Sequence, residues 1–82
     1  MGRFNKEAIN QEDKEKLQKK FGKRLAEIRN EKEITQENFA FEAGVDRTYI
    51  SYLERGKRNP SLYMLSRLAK ALRVSLNELT NI

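Results

Sequence analysis

The sequence contains no cysteine and no histidine. Disulfides, thiolate zinc sites and His-based catalytic triads are therefore excluded. No apolar run approaches the roughly 18 residues that a membrane-spanning helix needs. The opening MGRFNKEAIN lacks the apolar stretch of a secretory signal, and Lys6 stands where a myristoylation pattern requires serine or threonine. There is no metal-ligand cluster, no Gly-rich phosphate loop and no nucleophile–base pair. Internal repeats and low-complexity blocks are absent, and no stretch alternates long enough for a strand. These absences lead to the expectation of a cytoplasmic, non-enzymatic chain with no catalytic or metal site, no cofactor, no membrane contact and no evident small-molecule ligand. At 82 residues it has room for one domain with a limited core.

Charge is plentiful: 17 basic and 12 acidic residues give a net +5. Its placement is more informative than its size. Residues 1–33 hold ten basic and seven acidic side chains, an ordinary mixed surface, whereas residues 47–73 hold seven basic residues and Glu54 alone as an acid. A local field of one sign suits a polyanion; solubility is the plainer alternative.

Apolar spacing predicts five helices and an all-α fold. Residues 1–13 have little periodicity and read as an N-terminal arm. That arm is either disordered, or touches a partner through Arg3 and Lys6, or covers apolar surface with Phe4 and Ile9. Residues 14–82 form the domain. From Asp13 to Lys32, Leu17, Phe21, Leu25 and Ile28 share one helix face, with Gly22 as a weak point. Thr35 caps a second helix, Gln36 to Ala43, with Phe39, Ala40 and Ala43 inward and Phe41 on the opposite side. Gly44 follows the last apolar residue, where a left-handed cap favours glycine. Val45 plugs the corner, and Asp46 caps the next helix. That third helix, Arg47 to Arg55, turns Ile50 and Leu53 inward and ends at Gly56. After the loop Lys57–Pro60, Ser61 caps a fourth helix with Leu62, Leu65, Leu68, Ala69 and Leu72 as core. Arg67, Lys70 and Arg73 fall on its outer side and read as solvated. Ser75 with Glu78 matches a capping box and opens a short fifth helix.

The stretch 36–56 organises the rest. Two short helices around a Gly-containing corner make a helix-turn-helix, whose second helix enters the DNA major groove. The outward face of residues 47–55 carries Arg47, Thr48, Ser51, Tyr52 and Arg55, rich in donors and without a carboxylate. Arg47, Thr48, Ser51 and Tyr52 are the expected base readers, since arginine can donate twice to guanine and threonine can touch a thymine methyl. Arg55, Lys57, Arg58 and Asn59 flank this helix as expected phosphate contacts. Tyr49, at the helix edge, is expected mainly to pack, with its hydroxyl near a phosphate.

The residues Gln36, Phe39, Ala40, Ala43, Gly44, Val45, Ile50, Ser51, Leu53, Glu54 and Gly56 resemble the helix-turn-helix of lambda-repressor and Cro-like regulators, the XRE family. The resemblance runs from about Phe21 to Leu79. DRTYIS and ERGKRNPS also resemble the controller proteins of restriction–modification systems. The resemblance implies a five-helix lambda-repressor-like fold and a transcriptional regulator bound to double-stranded DNA. It implies a phosphate contact for Gln36 and a structural ion pair between Arg29 and Glu54. It further implies a homodimer built on the C-terminal region, for which Val74, Leu76, Leu79 and Ile82 offer apolar surface, and hence an approximately palindromic operator. An antitoxin that binds both a toxin and its own operator shares the fold and remains the alternative.

Overall fold

The computed structural model describes residues 10–82. Among these residues it contains five helices: α1 (Gln11–Glu31), α2 (Gln36–Ala43), α3 (Arg47–Glu54), α4 (Leu62–Leu72) and α5 (Leu76–Leu79). The roles expected of Arg3, Phe4, Lys6 and Ile9 lie outside the described residues.

The long first helix begins earlier than apolar spacing alone suggests. Asn10 caps it: the Asp13 backbone N–H donates to Asn10 Oδ1 at 3.0 Å, and the Asn10 N–H donates back to Asp13 Oδ2 at 3.3 Å. This reciprocal box satisfies two amides that would otherwise lack partners. Residues 11–13, expected in the arm, are therefore helical.

The remaining helix starts follow the local rule that a short side-chain oxygen accepts from a first-turn amide. Thr35, Ser61 and Ser75 each accept at 3.0 Å, from the N–H of Asn38, Met64 and Glu78. Gly44 ends α2 with φ of 70°, a conformation that a Cβ disfavours. Arg73 ends α4 in the same left-handed region, with φ of 58°, although it has a side chain.

One core joins all five helices. Phe21, Leu25 and Ile28 of α1 meet Phe39, Ala40 and Ala43 of α2, Ile50 and Leu53 of α3, Leu68, Ala69 and Leu72 of α4, and Leu79 of α5. Helix α3 packs against both α1 and α2, α4 against α2 and α5, and α5 also touches α1. Burial at about 25 cal/mol per Å² of apolar surface drives this arrangement.

Two expected core leucines are exposed. Leu17 and Leu62 both lie on the surface. Helical side chains lean toward the N-terminus, so Leu62, first in α4, reaches past the end of the bundle. Leu17 lies one turn before Phe21, beside an open apolar groove also lined by Pro60, Leu65 and Ile82. Phe41 is 82% exposed, in keeping with its position opposite Phe39.

Three polar or small residues carry tertiary contacts that the pattern did not reveal. Gly22 is buried, and a Cβ there would overlap the Leu53 carbonyl oxygen and come 2.6 Å from that of Glu54. It is the point where α1 crosses the end of α3, not merely a weak spot in a helix. Arg67 is not simply solvated: its Nη2 donates to the carbonyls of Ala43 at 2.6 Å and Gly44 at 3.0 Å. These are carbonyls at the end of α2 that have no helical partner. Arg24 ties α5 to α1 through Nε and Nη2, both 3.1 Å from the Glu78 carbonyl.

Candidate nucleic-acid interface

The candidate interface is the outer face of α3 with the loop that follows it. Its position is set by the turn at Gly44–Asp46. The Val45 N–H donates to the Ala40 carbonyl at 3.0 Å, and the Val45 side chain rests on the core. Asp46 then accepts from the Thr48 N–H at 2.7 Å. Hydrogen bonding from the Thr48 backbone, then from its side chain, holds the Asp46 carboxyl below the ordinary aspartate range. A charged cap also suits the positive end of the helix.

Inward residues Ile50 and Leu53 are fully enclosed, which fixes the roll of α3. Arg47 and Thr48 are consequently exposed and Ser51 and Tyr52 half-buried, so the four expected base readers share the outer side. Tyr52 is half-buried because two arginines lie against it. The guanidinium carbons of Arg58 and Arg55 are 4.5 Å and 4.9 Å from its ring centroid, within cation–π range. Arg58 also donates to the Lys57 carbonyl at 3.0 Å, and the Lys57 N–H donates to the Tyr52 carbonyl at 2.8 Å. The loop is thereby folded onto the end of α3, next to its outer face. Tyr49 packs against the core. Burial pushes its hydroxyl pKa up, with Arg58 opposing.

Behind this face lies the expected ion pair. Arg29 Nε and Nη2 reach the two Glu54 oxygens at 2.6 Å and 3.0 Å, and the two side chains are 12% and 7% exposed. Arg29 Nη1 also donates to the Ile34 carbonyl at 2.7 Å. A third donor completes the network: Gln36 Nε2 lies 2.9 Å from Glu54 Oε1. Gln36, for which the resemblance implies a phosphate contact, is thus partly committed inward. One amide hydrogen goes to Glu54, and an amide carries two. Nothing in the residue spacing signalled this third member.

On the other side of the loop, Gln18 of α1 donates from Nε2 to the Gly56 carbonyl at 3.1 Å, while its Oε1 is enclosed without a hydrogen-bond partner. Lys57, Arg58 and Asn59 are all exposed and line a polar groove against α1.

The C-terminal residues divide. Leu79 is 0% exposed, whereas Leu76 is 36% and Ile82 50% exposed. Val74 is partly buried against the core. Leu79 therefore closes the monomer core and has no surface left for a second copy, a correction to its expected place in a dimer contact. Among the described residues no helix is long and apolar enough to cross a membrane.

Comparison with known proteins matches residues 25–79 to the helix-turn-helix family. The control protein C.MunI from Mycoplasma sp is 44% identical over 61 residues, covering 73% of this chain and 82% of that protein. The restriction–modification controller protein C.AhdI from Aeromonas hydrophila superposes with a TM-score of 0.74 at 47% identity, covering 76% of this chain and 94% of its own. The controller protein C.Esp1396I, a tetramer on its natural 35 base-pair operator, superposes with a TM-score of 0.69 at 37% identity, covering 77% and 93%. With the two-helix motif, the caps and the five-helix core in place, the chain belongs to the helix-turn-helix family of the lambda-repressor and Cro-like, or XRE, type.

Proposed function

We propose that this protein is a sequence-specific, double-stranded DNA-binding transcriptional regulator of the restriction–modification controller kind. It acts as a symmetric homodimer on an approximately palindromic operator, in the cytoplasm and without catalysis. One observation carries the reading. Between residues 47 and 73 the single acid is Glu54, and it is turned inward onto Arg29 and Gln36. The outward side of α3 is left with donors and no carboxylate, which suits the acceptor-rich edges of the major groove and the phosphates beside it. The control-protein relatives support the same assignment.

In this reading Arg47, Thr48, Ser51 and Tyr52 read bases. Gln36, Arg55, Lys57, Arg58 and Asn59 hold phosphates, Gln36 through its second amide hydrogen or its backbone N–H at the start of α2. Tyr49 mainly packs and brings its hydroxyl near the backbone. One recognition helix spans only a few base pairs, so specificity requires two half-sites about 34–36 Å apart. Leu76 and Ile82, with Val74 at the edge, supply the exposed apolar contact for pairing.

The test begins with selection of binding sites from random duplex DNA, followed by titration of Arg47→Ala against the selected site and its point variants. Loss of a bidentate guanine contact should weaken binding by about 1–3 kcal/mol and relax preference at one base pair per half-site. Unaltered affinity and preference would remove Arg47 from the readers. Leu76→Glu should shift sedimentation toward monomer; a wild-type chain that is monomeric at tens of micromolar, on and off DNA, would overturn the dimer.

A further inference from the structure

The groove between α1 and the loop after α3 is strongly basic. It has a volume of about 420 Å³, and its charged lining is Lys14, Glu15 and Lys19 from α1 with Lys57 and Arg58 from the loop. Four cations thus face one carboxylate. Among the described residues the ion pairs are Lys16–Glu12 and Arg29–Glu54, so no carboxylate neutralises any of the four.

The groove is also held in shape. Gln18 donates to the Gly56 carbonyl. A Cβ on Gly56 would come 2.7 Å from Lys19 Cγ and 2.9 Å from Lys19 Cα, so the backbones of α1 and the loop approach as closely as glycine permits. Its far wall is continuous with the reading face, because Arg58 lies both in the groove and 4.5 Å from the Tyr52 ring. Lys14 and Lys19 precede the span matched to the family, residues 25–79. They belong to the N-terminal half of α1, which the Asn10 capping box anchors.

We infer that the N-terminal half of α1 is a second grip on the DNA backbone, in which Lys14 and Lys19 hold phosphate from across the groove while Lys57 and Arg58 hold it from the loop. This rests on the DNA-binding reading above and extends it beyond the helix-turn-helix. DNA backbone is favoured over an acidic protein segment because the groove opens beside the face that would carry the duplex. A strand leaving α3 past Arg58 meets the two lysines next. Glu15 lies in the same groove and opposes the contact.

The test measures operator affinity against salt for the full chain. Each phosphate contact contributes a slope of about 0.9 in log K against log salt, or roughly fivefold in affinity near 0.15 M. Lys14→Gln with Lys19→Gln removes four contacts from a bound dimer and should therefore weaken its binding about 600-fold and lower the slope by about 3.6, equally for specific and random DNA. The control is Lys20→Gln with Lys23→Gln, which removes the same charge from a different face of α1 and should change affinity and slope far less. Glu15→Gln should tighten binding. Glutamine retains helix propensity, and circular dichroism checks that the variants fold.

Equal losses from the two lysine pairs would mean a general field rather than a grip, and would overturn the inference. So would wild-type slopes in both. A changed dimer constant with an unchanged salt slope would instead assign the groove to an acidic segment of a second copy. Wild-type protein that binds no DNA at all would overturn the underlying reading together with this one.

Discussion

Replacing Glu54 with alanine tests the network behind α3. The two Glu54 oxygens accept three donors, Arg29 Nε at 2.6 Å, Arg29 Nη2 at 3.0 Å and Gln36 Nε2 at 2.9 Å. Without the carboxylate, the Arg29 guanidinium keeps the Ile34 carbonyl at 2.7 Å, a neutral acceptor for one of its nitrogens. Its side chain is only 12% exposed, so water replaces little of what is lost. Breaking a buried pair on one side costs about 3–5 kcal/mol, against about 0–1 for an exposed pair. A domain of this length has a total stability of roughly 4–12 kcal/mol. At about 4–8 °C per kcal/mol, Tm should fall by roughly 12 °C or more. The assay is thermal and urea unfolding at one fixed protein concentration, because self-association shifts Tm. Glu54→Leu combined with Arg29→Met should recover most of the loss, since an apolar pair of similar volume fills the site without an unpaired charge. A Glu54→Ala variant within 1 kcal/mol of wild type, or a double-mutant cycle without coupling, would refute the argument.

Three further outcomes are expected from the structure. Arg73→Gly should stabilise the protein by about 0.5–1 kcal/mol in urea unfolding, because the left-handed φ of 58° suits glycine better than a residue with a Cβ. Gly22→Ala should destabilise by about 1–3 kcal/mol despite alanine's better helix propensity, because the new methyl meets the Leu53 and Glu54 carbonyls and forces overpacking; a neutral result would show that α1 can shift. Asp46 has a depressed pKa, so its contribution to stability is present above the ordinary aspartate value of about 3.9 and is lost as pH falls through the lower folded value. Asp46→Asn keeps a capping acceptor but should flatten that part of the acid limb in a pH series of unfolding midpoints.

Much of this architecture was legible because cap chemistry is local. Thr35, Asp46, Ser61 and Ser75 lie at the helix starts where a short oxygen next to an apolar-periodic run places them, and Gly44 adopts the positive φ that its position suggests. The motif residues fix the roll of α3, so its outward set could be named from spacing. What escaped was tertiary. Periodicity says that Leu17 and Leu62 lie on apolar stripes, but not that no element covers those ends of the stripes. It marks Gly22 as a helix defect, because the backbone it touches is about thirty residues away in sequence. Arg67 looked solvated on its own helix, since the carbonyls it caps belong to another. The inward bond of Gln36 is hidden from spacing for the same reason, its partner lying 18 residues on.

The stacking of Arg55 and Arg58 on Tyr52 has a consequence for how association proceeds. A free arginine side chain samples many rotamers and carries about 2 kcal/mol of rotamer entropy. Here both guanidiniums already rest against a ring held by the end of α3, so part of that ordering is complete before any duplex arrives. Preorganisation of this kind raises affinity by reducing what must be ordered at the encounter. Tyr52 therefore acts on two side chains besides its own, and losing its ring would be felt as a looser, slower-settling loop at Lys57–Asn59 even where the tyrosine itself touches no base.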